Sequence, residues 1–168
     1  DTPDAVISRL LDKEESRPEK KPKIVFHSSS EEKFKDELLQ FRLAEVCVHT
    51  NESKFPQYFL WDARKLKVES NLKANLWSGF LRGWKNKGIN KIELKVLQNV
   101  DRELVALAYA LGISYQDSLI VKPMFNRENE DTLRVTFEVN DMAILDKTPH
   151  KLTSDCEIFL PSYMLNLT

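Results

Sequence analysis

Residues 23–50, KIVFHSSSEEKFKDELLQFRLAEVCVHT, hold the pattern on which the fold turns. Lys23–His27 is a short apolar-centred run of strand type. Ser28–Ser30 followed by Glu31 and Glu32 supplies an N-cap and an acidic first turn. Phe34, Leu38 and Phe41, with Leu39 and Leu43, then recur at helical spacing to about Ala44. Residues 45–50 (EVCVHT) alternate again as a strand. A strand, a helix and a strand at this spacing predict a βαβ unit or a split version of one.

The rest of the chain extends that pattern. Residues 56–69 predict a hairpin: Tyr58–Trp61, a turn at Asp62–Ala63, and a second arm Lys65–Glu69 with Leu66 and Val68 on one face. A helix is expected over 71–87 and a strand over 90–97, with Ile92, Leu94 and Val96 facing one way and Glu93 and Lys95 the other. Residues 100–111 read as a helix ended by Gly112. A strand over 113–121, a loop over 122–131, an alternating strand over 132–139 and a last strand near Cys156–Leu160 complete the reading. Residues 23–41 and 91–109 share a strand–turn–helix pattern, which two such units have by default. The fold class predicted is α/β or α+β, a mixed β-sheet with two or three helices packed on it, in a single domain over 23–168.

Composition sets limits on function. A chain of 168 residues with 42% hydrophobic and 30% charged residues is a globular mixture long enough to bury a core. Four glycines exclude Gly-rich repeats and collagen-like chains. No apolar run approaches the roughly 18–20 residues of a membrane span, and no signal peptide is read at the start. Cys47 and Cys156 sit in apolar runs and read as small buried hydrophobes rather than a disulfide framework. The compartment expected is the cytoplasm.

Ahead of the domain, residues 1–14 (DTPDAVISRLLDKE) predict a helix: Thr2 as N-cap, Pro3 at the first position, then Val6, Leu10 and Leu11 as an apolar stripe. Residues 15–22 follow as a charged, proline-containing linker. "TPDAVISRLL" resembles the second helix of ribbon-helix-helix DNA-binding proteins. The resemblance covers about a dozen residues and implies a recognition strand upstream of them.

The charge points to a class of partner. Residues 61–95, WDARKLKVESNLKANLWSGFLRGWKNKGINKIELK, contain all three tryptophans and nine basic side chains against three acids, a net of +6 in a chain that sums to −1. Phosphates call for cations spread along a surface, and unstacked bases for aromatic faces. Candidate nucleic-acid contacts are Trp61, Arg64, Lys65, Lys67, Lys73, Arg82, Lys85, Lys87 and Lys91, with DNA the first expectation. On a helical wheel Trp77 and Trp84 fall in the apolar arc with Leu72, Leu76, Phe80 and Leu81, leaving Trp61 as the base platform. Gly79 and Gly83 border that arc and suggest a close backbone approach.

Two other readings stand beside this one. Glu93-Leu94-Lys95 resembles the E-x-K element of PD-(D/E)xK nucleases. That resemblance implies a Mg²⁺ ion held by Glu93 and an upstream carboxylate, for which Asp62 is the candidate, with Lys95 supporting the attacking water. The other is an interaction or oligomerisation module using the acidic remainder and the apolar C-terminal segment. Cys47 and His49 share one strand face, but no second ligand pair at metal spacing follows. Walker, HExxH, nucleophile-elbow and dinucleotide motifs are absent from the sequence, so those enzyme classes are disfavoured and no cofactor is expected outside the nuclease reading.

Overall fold

A computed structural model describes residues 2–5 and 20–165. Most of the expected N-terminal helix and of the linker therefore lies outside the described residues; Pro3–Ala5 form a helical turn, with Ala5 N–H donating to the Thr2 carbonyl. The order is β1 (Lys23–Phe26), α1 (Glu31–Phe41), β2 (Leu43–Thr50), β3 (Gln57–Asp62), α2 (Leu72–Ser78), α3 (Trp84–Lys87), β4 (Ile89–Val96), α4 (Arg102–Leu111), α5 (Tyr115–Val121), β5 (Pro123–Arg127), β6 (Thr132–Phe137), α6 (Met142–Leu145) and β7 (Ile158–Pro161), closed by a 3-10 turn. The class is α+β: a mixed four-stranded sheet ordered β1-β4-β2-β3 and an antiparallel three-stranded sheet ordered β5-β6-β7.

The strand–helix–strand of residues 23–50 forms as expected, but its topology differs. β1 runs parallel to β4, and β4 runs antiparallel to β2, so β1 and β2 oppose each other with β4 between them. Since β2 is also antiparallel to β3, the parallel pair linked by helices is β3 and β4, with β2 inserted between them. The split βαβ unit is thus one step further along the chain than the sequence suggests. Such pairing is non-local, and hydrophobic periodicity carries no information about it.

Local chemistry sets the helix ends. The Ser30 side chain accepts from Lys33 N–H, and Glu31 and Glu32 occupy the first turn of α1. Arg42 closes that helix in the left-handed region at φ 65 and sends Nη1 to the Leu66 carbonyl at 2.6 Å. Lys35 Nζ takes the Val68 and Ser70 carbonyls. These bonds explain why the second arm of the expected hairpin is missing. The carbonyls of Ala63 and Leu66 go to Arg42 and those of Val68 and Ser70 to Lys35 rather than to a ladder, and β3 pairs with β2 instead. Leu66 is buried and Val68 is 77% exposed, so they do not share a face.

The helix expected over 71–87 breaks at its glycines. Gly79 sits at φ −106, ψ −102, where a Cβ would stand 2.9 Å from the Asn75 carbonyl oxygen, and Gly83 is left-handed at φ 69. They serve the break rather than a close approach to the sheet. The break buries Leu81 completely and turns Phe80 towards β3.

Two more segments differ. Residues 113–121 contain α5, because Ser114 caps it by accepting from Asp117 N–H after Gly112 has ended α4 at φ 80. Residues 122–131 contain edge strand β5, which opens on Pro123, a place where a missing N–H costs nothing. In β6, Leu133 and Val135 are buried, whereas Val139 of the expected alternating strand lies past its end and is 43% exposed.

One core packs α1 and α2 on the four-stranded sheet: Phe34, Leu38, Leu72, Leu76 and Leu81 against Ala44, Val46, Val48, Ile92 and Leu94. A second gathers Leu107, Ala108 and Leu111 of α4 with Val121, Val135, Leu145, Ile158 and Leu160. Burying a side chain of this size stabilises the fold by about 1.5–3 kcal/mol. Among the described residues no single helix is long and apolar enough to cross a membrane.

Candidate functional site

Each face of the four-stranded sheet presents one group of side chains worth weighing. On the helix side, at edge strand β3, Phe59, Trp61 and Phe80 cluster, with the Phe80 ring centroid 6.2 Å from Phe59 and 6.1 Å from Trp61. Phe59 is 42% exposed. The cluster borders a groove of about 710 Å³ that includes Thr50, Gln57, Phe59, Phe80 and Lys87. Phe80 reaches it because the chain breaks at Gly79. Trp61 packs partly on the core, as do Trp77 and Trp84.

The candidate cations divide into groups. Arg82, Lys85 and Lys87 are exposed on the Gly79–Gly88 segment and meet no carboxylate among the described residues. Lys85 Nζ lies 5.5 Å from the centre of the Trp84 ring. Arg64, Lys65 and Lys67 are exposed at the opposite end of the sheet, beyond Asp62, which pairs with Leu43, whereas Gly88 bonds to Asn51 past the other end of β2. The length of β2, roughly 20 Å or more, separates Gly88 from Asp62. Arg64 is bonded to Asp62 at 2.8 Å and Lys73 to Glu31 at 3.1 Å. Lys91 projects from the other face of the sheet, 3.3 Å from Glu93.

That other face is polar. Glu45, Cys47 and His49 alternate along β2, and Glu93 and Lys95 along β4; Cys47 lies directly opposite Glu93, and Glu45 opposite Lys95. Tyr58 of β3 lies opposite Cys47 and stacks on Tyr109 of α4 at 6.0 Å. His49 Nε2 is 2.6 Å from Glu93 Oε2 and 3.4 Å from Cys47 Sγ, while His27 Nε2, just past β1, is 3.3 Å from Glu93 Oε1. A cleft of about 360 Å³ opens over these groups and reaches Ser114 and Gln116.

Burial governs the electrostatics of this face. It pushes the Cys47 thiol up to about 12, against a hydrogen bond from Tyr58. It raises Glu45, only partly opposed by the Tyr115 N–H that donates to Oε2 at 2.8 Å. The Tyr109 hydroxyl is buried close enough to Glu45 for each to shift the other, yet makes no hydrogen bond of full geometry among the described residues, and burial raises its pKa and that of Tyr58. For Glu93, burial alone would raise the carboxyl, but the bonds from His49 and Lys91 outweigh it and hold the group below its ordinary value.

The E-x-K residues Glu93 and Lys95 do share this face, but Asp62 does not join them. Four residues of β2 separate their partners Leu43 and Cys47, roughly 13 Å, and Arg64 holds the Asp62 carboxylate. Sequence reasoning missed Phe59, Phe80, Glu45, Tyr58 and Tyr109. It paired Cys47 with His49 on one strand face, but the arrival of Glu93 and His27 depends on the β1-β4-β2 order, which no local signal carries. The chain matches no protein-family model, no curated protein and no solved structure.

Proposed function

We propose that this domain binds nucleic acid, DNA in the first instance, as an unpaired strand laid along the groove beside β3. The observation that carries the reading is the Phe59–Phe80–Trp61 cluster, with Phe59 42% exposed, on a groove that Lys87 also lines, with exposed Arg82 and Lys85 on the same segment; these three cations meet no carboxylate among the described residues. Base stacking on such rings is worth about 1–3 kcal/mol per base, and the cations would track the backbone. Arg64, Lys65 and Lys67, past the Asp62 end of β3, would meet the backbone of a longer strand. A duplex offers no unstacked base to the cluster. The free thiols Cys47 and Cys156 suit the reducing cytoplasm.

Fluorescence anisotropy with labelled single- and double-stranded DNA and RNA, over a salt series, tests the reading. Single strands should bind more tightly than duplexes, with affinity falling steeply as salt rises. Exchanging Arg82, Lys85 and Lys87 for glutamate should abolish binding while the circular dichroism spectrum is unchanged, and Phe59→Ala should weaken it by about 1–3 kcal/mol. Unchanged affinity in the triple variant overturns the proposal.

A further inference from the structure

The polar face of the sheet carries an inference independent of the groove, which lies on the opposite side. Three potential metal-ligand atoms, Cys47 Sγ, His49 Nε2 and one oxygen of Glu93, lie within 4.8 Å of one another. We propose that Cys47, His49 and Glu93 bind a divalent transition metal of the zinc class, with His27 closing the fourth position.

The hydrogen-bonding chemistry supports a cation at this point. His49 Nε2 faces both the thiol sulfur at 3.4 Å and the carboxylate at 2.6 Å. A ring nitrogen donates one proton or accepts one, so it cannot satisfy both neighbours well. A cation at their centre satisfies all three donors. An ion pair of His49 with Glu93 would explain the shorter contact without requiring the sulfur to face the same nitrogen.

The spacing fits the ion. Zn–S and Zn–N bonds of about 2.3 and 2.0 Å in a tetrahedron put sulfur and nitrogen about 3.5 Å apart, close to the contact between Cys47 and His49. The contact between His49 and Glu93 has to widen by about 0.7 Å on the same geometry, a small rotation of an unbranched carboxylate. His27 Nε2 stands 3.3 Å from the other Glu93 oxygen on a half-exposed side chain, and would turn inward to reach the ion. Lys91, 3.3 Å from that oxygen, would be displaced towards solvent.

Donor chemistry chooses the class of metal. Magnesium and calcium take oxygen ligands, whereas a thiolate and an imidazole select zinc, cobalt, nickel or copper. The fold places the ligands rigidly, since Cys47 and His49 are two apart on one strand and Glu93 faces Cys47 across the ladder. Side chains of His49 and Glu93 that are 32% and 22% exposed leave a way in from the cleft.

Titrating the full chain with Co²⁺, free of any affinity tag and stripped with chelator, tests this. A thiolate-to-cobalt charge-transfer band in the near ultraviolet should saturate at one metal per chain and be displaced by Zn²⁺. Cys47→Ser should abolish that band, while Cys156→Ser should leave it intact. His49→Asn and Glu93→Gln should each weaken binding by at least about tenfold. His27→Asn should keep the band but lower the intensity of the visible transitions that report four-coordination. The wild-type titration does not depend on how any variant folds. A wild-type chain that gives no band, or a band that persists in Cys47→Ser, overturns the site.

Discussion

Glu45 shows how much one residue's environment can depart from its sequence context. In EVCVHT it is an ordinary outward-facing position of an alternating strand; in the fold it is 7% exposed, beneath the α4–α5 turn. Burial raises its pKa, and Tyr109, Lys95, Asp117 and the Tyr115 N–H surround it. Because the folded-state pKa lies above the unfolded one, the ionised group opposes folding at neutral pH, and that penalty disappears as pH falls below the ordinary carboxylate range. Glu45→Gln keeps an acceptor for Tyr115 N–H and removes the charge. Its Tm should therefore exceed that of the wild type at pH 7, and the gap should close by about pH 4 in thermal melts. A variant less stable at pH 7 would mean that attraction to Lys95 outweighs desolvation.

At the scale of elements, the sequence showed most of what depends on neighbours within a few residues. Helix α1 with its Ser30 cap, helix α4 with its Gly112 stop, and strands β1, β2, β4 and β6 all follow from spacing and capping residues. The misreadings have different causes. Residues 65–69 alternate like a strand, yet Arg42 and Lys35 hold their loop; in ISYQDSLIV the Ser114 side chain caps a helix by accepting from Asp117 N–H, a local signal that the alternation outweighed in the reading. The candidate site was legible in its charge and in Cys47 and His49, but not in the convergence with Glu93, which lies 44 residues further on. Arg42 allows a direct check. A left-handed arginine costs about 1 kcal/mol more than glycine, and its guanidinium bonds return about 1.5–3 kcal/mol. Arg42→Ala keeps the strain and loses the bonds, whereas Arg42→Gly loses both. Urea denaturation should rank wild type above Arg42→Gly and Arg42→Gly above Arg42→Ala. A glycine variant at least as stable as the wild type would show that the bonds to residues 63–66 return no more than the left-handed strain costs.

For the whole molecule, the question is whether the two cores unfold together. They meet where Tyr109 stacks on Tyr58 and where Tyr115 N–H donates to the buried Glu45, so the polar face of one sheet is covered by helices that belong to the other core. Separating them would expose Glu45 and the tyrosine pair and would strip one wall from the cleft that contains His27, Cys47 and Glu93. Trp61, Trp77 and Trp84 all pack against the first core, so tryptophan fluorescence reports that half alone. Leu160 is 1% exposed in the second core, and Leu160→Ala should cost about 2–5 kcal/mol there. If the contact couples the halves, the tryptophan-detected urea midpoint should fall with that loss and coincide with the midpoint from far-ultraviolet circular dichroism. Two separate transitions, with the tryptophan one unmoved, would mean that each sheet folds on its own and that the wall of the cleft can open.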